Sequence, residues 1–247
     1  MTNLLTRRSL LGSAAIGTVA LLLAACNEKK AEAEAKAPEA SKPAAASEPV
    51  KTETPAKAVE IPDPAGEVDV AKLMVPGKLT DIFIGNADAK VTIVEYASMT
   101  CPHCRRFHEE TLPKIKEKYL DTGKVRLVLR EFPFDPRAAA AFMLSRCAGD
   151  DKYYAMVGTL FAQQDAWAHV EDAKTALLQL SKLAGFTQDS FDKCLTNQQL
   201  LNDVNEARER ASKDFGVEST PTFFINGKKY PGALTVEQMS GVIDALL

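Results

Sequence analysis

Apolar residues are spread unevenly along the 247 residues. An uncharged apolar run, Ser9 to Ala25, comes early in the chain, and from Asn27 to about Pro76 almost no large apolar residue occurs before Ile61. From Leu79 onward the pattern is that of a folded domain. Val91-Thr-Ile-Val-Glu-Tyr-Ala97 is a short, β-branched apolar run, which predicts a strand buried on both faces. Pro102 suits the first position of a helix whose apolar side is Phe107, Leu112, Ile115 and Tyr119, and Pro113 predicts a kink in it. Asp121-Thr-Gly123 breaks the chain, and Val125 to Phe132 reads as the next strand. A strand, a long helix and a strand make a βαβ unit, so the two strands should be parallel.

Helical periodicity then takes over to about Phe215. Asp135-Pro136 predicts an N-cap followed by proline at the first helical position, with Gly149 as the stop. Further helices are expected through Lys152–Phe161, Thr175–Ala184, Ser190–Leu195 and Gln199–Ala211. Phe132-Pro-Phe134 is most simply a strand-to-helix corner, and Trp167 and His169 have no motif around them. Strands return with Thr222-Phe-Phe-Ile225, the hairpin signal Asn226-Gly227 and Lys228-Lys-Tyr230, before an amphipathic helix from Leu234 to Leu247.

Composition adds little except at the N-terminus. A chain with 46% hydrophobic and 26% charged residues and a net charge of -3 carries no electrostatic footprint for nucleic acid. Arg7 and Arg8 before the apolar run follow the plan of a secretory signal, and Gly12, Ser13, Gly17 and Thr18 dilute the run as a spanning helix. Thr6-Arg-Arg-Ser-Leu-Leu11 resembles a twin-arginine export signal, with Leu10 where Phe is common. Leu23-Ala-Ala-Cys26 resembles a bacterial lipobox, whose cysteine is lipidated; the alternative is an uncleaved anchor with an incidental cysteine. Residues 1–26 are thus read as a signal peptide. Residues 27–76, rich in Ala, Glu, Lys and Pro, are read as a disordered tether that could stretch to roughly 150 Å. Both N-terminal readings place residues 77–247 in an oxidising periplasm, held near a membrane.

Of five cysteines, Cys26 belongs to the signal junction. Cys101 and Cys104 form C-P-H-C, while Cys147 and Cys194 stand alone on predicted helices. A metal clamp needs four ligands, and only His108 lies near, so His108 is read as surface or packing. A purely structural bond across four residues would constrain very little chain. The redox reading fits best. The unpaired amides and dipole of a helix start favour a thiolate at Cys101, with His103 adding a donor or positive charge, and Cys104 one turn inside as the resolving thiol. Glu95, a carboxylate in an apolar strand, is expected to relay protons to the pair rather than to form a salt bridge at a strand edge. Cys147 and Cys194, two remaining thiols in an oxidising compartment, are expected to bond to each other, the alternative being buried free thiols.

Glu95-Tyr-Ala-Ser-Met-Thr-Cys101-Pro-His-Cys104, the helical segment and Thr220-Pro221 before a strand together resemble the DsbA family of disulfide oxidoreductases. The resemblance covers about residues 79–247. It implies an α/β thioredoxin fold, βαβ and ββα halves around a mixed sheet, with a helical insertion at about 136–215. It also implies Cys101, Pro102, His103 and Cys104 as the redox centre, Glu95 as a buried carboxylate beneath it, and Pro221 as a cis-proline whose predecessor, Thr220, meets substrate backbone. Threonine there departs from the valine of the enteric member and matches some isomerases, which bears on oxidising strength. The implied function is a monomeric periplasmic oxidase that needs no cofactor, acts on reduced exported proteins and is reoxidised by a DsbB-type membrane partner. The rivals are the same fold running as reductase or isomerase, and a metal- or peptide-binding C-x-x-C module.

Overall fold

In the computed structural model, residues 59–247 are described. The expected signal peptide, Cys26 and the tether as far as residue 58 lie outside them. Among the described residues no helix is long and apolar enough to cross a membrane.

The centre of the molecule is a mixed sheet in the order β1-β6-β5-β3-β4-β2. Its middle strand β3, Val91–Ala97, is buried at every position, as a continuous β-branched run requires. It pairs in parallel with β4, Val125–Glu131, in the register Glu95 opposite Leu129, and antiparallel with β5, Thr222–Ile225, with Glu95 opposite Phe223. The predicted βαβ unit and its parallel strands are therefore present. β5 turns into β6, Lys228–Pro231, through Asn226 and Gly227, both at positive φ (46° and 86°), the geometry for which Asn-Gly is suited.

Two short strands carried no sequence signal. β2, Phe83–Gly85, runs antiparallel to β4, and Gly85 is required there at φ 97°, since a Cβ would meet the Val125 carbonyl oxygen at 2.3 Å. β1, Gly66–Glu67, pairs with β6, and the helix Val70–Met74 follows, capped by Asp69. This corrects the tether boundary at residue 76. The chain is part of the fold by Gly66, because Leu73 is buried among Tyr96, Phe132, Phe215 and Phe224, and the Leu73 carbonyl accepts a bond from the buried Arg130 guanidinium at 2.8 Å. A two-residue strand and one helical turn need only backbone pairing and a single buried leucine, too little to produce periodicity.

The helix after β3 begins at Pro102 and runs to Leu120 through alternating α and wider turns. Proline has no amide hydrogen to give. Around Pro113 the ladder opens to i→i+5 over Phe107–Thr111, where the Leu112 amide bonds to the Phe107 carbonyl, and again over Lys116–Leu120. The expected effect of Pro113 takes this form, a locally widened helix. With the closing helix Val236–Asp244 it covers one face of the sheet through Phe107, Ile115, Tyr119, Met239 and Ile243.

Helices from Pro136 to Phe215 form the insertion. Asp135 caps the first, Pro136–Cys147, by accepting bonds from the Arg137 and Ala138 amides. Cys147 is bonded to Cys194 on the helix Gln188–Leu195, with Cα atoms 6.1 Å apart. Phe142, Phe161 and Trp167 of the insertion share one core cluster with Met99, Cys101 and Cys104. The insertion thus closes directly over the end of β3.

Candidate active site

Cys101 is the N-cap residue of the helix Pro102–Arg106, extended at φ -79° and ψ 122°, with Pro102 in the first helical position. Its sulfur lies 3.3 Å from the Thr220 carbonyl oxygen, and the Thr220–Pro221 peptide bond is cis. The thiol is displaced from an ordinary value of 9.0 down to about 5. The largest cause is a hydrogen bond from the Cys104 thiol. Thr220 and the backbone amides of Cys104 and His103 add to it, against the opposing effect of burial. The Thr220 hydroxyl is buried with no hydrogen-bond partner among the described residues. Cys104 is moved the opposite way, well above the ordinary value, by burial first, then by its bond to Cys101 and the negative charge of Glu95. Pro102 and His103 are both exposed on the helix start, and His103 acts on Cys101 through its backbone amide.

Glu95 shares one sheet face with Ile93 and Ala97, two positions away on either side, and is wholly buried. Its partner is His108, which lies inside the protein, so of the reading as surface or packing it is the packing half that holds. The His108 side chain is only 5% exposed, and its Nε2 stands 3.0 and 3.2 Å from the two Glu95 carboxylate oxygens. Its ring lies against Phe161 at 4.3 Å. The signal available in the sequence was spacing: four residues separate His108 from Cys104, one helical turn, which places both over the same strand. Among the described residues no group of three or more His, Cys, Asp or Glu side chains converges as a metal site.

Gln164 could not be found from sequence at all. It is buried, and its side-chain amide donates to the Met99 carbonyl at 2.9 Å and the Cys101 carbonyl at 3.1 Å, so the insertion holds the loop that presents Cys101. Thr100 donates to Asp135 at 2.5 Å, joining the same loop to the cap of the insertion's first helix. Beside Cys101 opens a hollow of about 480 Å³ lined by Pro102, Phe134, Pro136, Arg137 and His169 among others. Phe134, 45% exposed, belongs to this rim as well as to the corner expected from sequence. Trp167 is core, its indole donating to the Leu160 carbonyl.

A family model described as thioredoxin matches residues 78–245. The chain belongs to the thioredoxin family. Within that family it is similar to a putative protein-disulfide oxidoreductase of Rickettsia conorii, 32% identical over 168 residues, 68% of this chain and 60% of that protein. The match thus spans little more than half of the rickettsial protein's length. Wolbachia pipientis alpha-DsbA1 is 33% identical in its crystal structure, with a TM-score of 0.66 over 71% of this chain and 94% of that one. Oxidised BdbD from Bacillus subtilis, at 19% identity, shares the fold at a TM-score of 0.62 over 75% of this chain and 98% of that one. The thioredoxin fold and its inserted helices are those expected from sequence. A depressed thiol and a raised thiol one helical turn apart form a pair suited to thiol–disulfide exchange.

Proposed function

We propose that this chain is a protein thiol:disulfide oxidoreductase that introduces disulfides into exported proteins in the periplasm. The observation that carries the reading is the opposite displacement of the two thiols. Cys101 at about 5 is a stable thiolate at neutral pH, which favours the reduced pair and makes its disulfide a good oxidant. In the cycle, a client thiolate attacks Cys101 Sγ of the Cys101–Cys104 disulfide. The Cys101–Cys104 bond breaks, and its electron pair leaves on Cys104, which takes up a proton. A second client thiolate then attacks the client sulfur of the mixed disulfide and expels Cys101 as thiolate. The client has lost two electrons and the protein has gained them. A DsbB-type membrane oxidase would return the pair to the disulfide.

The hollow beside Cys101 supports a polypeptide client, since an apolar rim of Phe134, Pro136 and Pro102 can receive residues flanking the client cysteine. Glu95 serves as a buried proton carrier, Thr220 and Pro221 face the client, and the Cys147–Cys194 bond is structural. The N-terminal signal and Cys26 lipidation would keep a monomeric domain tethered at a membrane. Threonine before the cis-proline favours, as a second reading, a reductase or isomerase on the same scaffold. Oxidative refolding of a reduced multi-cysteine protein, with a glutathione redox titration of the purified protein, separates the two. Rapid refolding and a potential far above thioredoxin's, roughly -270 mV, are expected, and a potential near that value would overturn the oxidase reading.

A further inference from the structure

The hollow beside Cys101 holds a cation with no carboxylate of its own. Arg105, Arg130 and Arg146 each pair with an acidic side chain. Arg137, half-buried on the wall of the hollow, makes a single side-chain hydrogen bond among the described residues, from Nη1 to the Ala168 carbonyl at 2.8 Å. Both ends of this residue are tied to the Cys101 loop. On the side-chain end, the Ala168 amide donates to the Gln164 carbonyl at 2.8 Å, and the Gln164 side chain donates to the Cys101 carbonyl at 3.1 Å. On the backbone end, the Arg137 amide donates to one Asp135 oxygen at 2.9 Å, and the other oxygen accepts from Thr100, the neighbour of Cys101. The guanidinium is therefore held in place relative to the Cys101 sulfur before any client arrives, which lowers the ordering cost of a contact with it.

One of the five guanidinium donors is used by Ala168, and the Nε–Nη2 edge, a fork that matches the two oxygens of a carboxylate, has no protein partner among the described residues. Asp135, on the same wall, does not compete for it: its oxygens are engaged by Thr100 and by the Arg137 and Ala138 amides. His169, exposed on the rim, offers a further ring nitrogen. We propose that Arg137 forms a subsite for an acidic side chain of the client, one or two residues from the reacting cysteine. The proposal rests on the oxidoreductase reading of Cys101 and adds the client chemistry that its rim selects. A hollow of about 480 Å³ is roughly 8 Å across, the reach of two extended residues. In the disulfide and the mixed disulfide Cys101 is uncharged and does not oppose a carboxylate. Once Cys101 leaves as a thiolate, the like charge beside the bound carboxylate favours release of the oxidised client.

The test uses the full chain carrying Cys104→Ser, with Arg137 present or replaced. Two mass-tagged peptides, with glutamate or glutamine next to their one cysteine, are supplied together as glutathione disulfides. The Cys101 thiolate attacks the peptide sulfur, the Cys101–peptide bond forms, and glutathione leaves as thiolate with the electron pair. At equilibrium the ratio of glutamate to glutamine adduct is read by mass spectrometry of the intact protein. With Arg137 this ratio should be about fivefold higher than with Arg137→Gln, a comparison that cancels the peptides' own thiol chemistry. Arg137→Glu should turn the preference toward a lysine peptide over the glutamine one, a gain that a misfolded variant cannot give. Equal ratios with arginine and glutamine, or no turn toward lysine, overturn the subsite and leave the oxidoreductase reading standing. Failure of every peptide to bond to Cys101 overturns that reading and the subsite with it.

Discussion

Gln164 and Cys101 are 63 positions apart in the chain, yet the Gln164 side-chain amide donates to the Cys101 carbonyl at 3.1 Å, inside the protein. The insertion therefore holds the loop that carries Cys101 by hydrogen bonding as well as by covering it. Gln164→Met keeps the volume and removes both donors, leaving the Met99 carbonyl without this bond. A buried carbonyl that loses its partner costs about 1–3 kcal/mol, so a loss near 2 kcal/mol is expected from the urea midpoint at unchanged m-value.

The Cys101 thiolate should be visible by ultraviolet absorbance, titrating near pH 5 in the reduced protein. The linked stability has a definite sign. Because the folded value lies below the ordinary 9.0, the thiolate stabilises the reduced fold increasingly as pH rises from about 5 to about 9. That stabilisation is fully present above the unfolded value and is lost as pH falls through 5. The disulfide form has no such group. Urea unfolding of both forms should show the reduced protein gaining on the oxidised one across this range, and a pH-independent difference would contradict the placement of Cys101.

Removing either active thiol should have distinct consequences. Cys101→Ser should abolish client oxidation, since Cys104 is fully buried and cannot be reached by a client. Cys104→Ser should retain attack by Cys101 and accumulate mixed disulfides with clients, seen as heavier bands on non-reducing gels that collapse on reduction. Equal inactivity of both without trapped species would count against the assignment of roles.

The Cys147–Cys194 bond closes a separation of 47 residues. Replacing both cysteines by alanine should lower stability by roughly 2–4 kcal/mol, read from denaturant unfolding. The thiolate midpoint of Cys101 should stay in place, because the groups that lower it, Cys104, Thr220 and the His103 amide, include neither residue.

Much of the scaffold was legible because its signals are local. Val91–Ala97 declares a buried strand by composition, Asp135-Pro136 a cap by its side chain, and Asn226-Gly227 a turn by its tolerance of positive φ. C-P-H-C at a strand-to-helix junction pointed to the neighbouring thiols Cys101 and Cys104. What stayed hidden depends on residues distant in sequence. β1 and β2 exist through pairing with β6 and β4. Gln164 resembles any polar residue in a helical turn until the fold brings it under Met99. His108 was read as surface or packing, and its contact with the buried Glu95 carboxylate could not be seen without the fold.

The bond between Cys147 and Cys194 carries one more consequence. If the chain leaves the cytoplasm reduced, its own helical insertion starts as a thiol pair awaiting an oxidant. A mature copy could provide it, so each new molecule would be a substrate of the population it joins. Maturation would then be autocatalytic, with a lag set by the first molecules to be oxidised by other means.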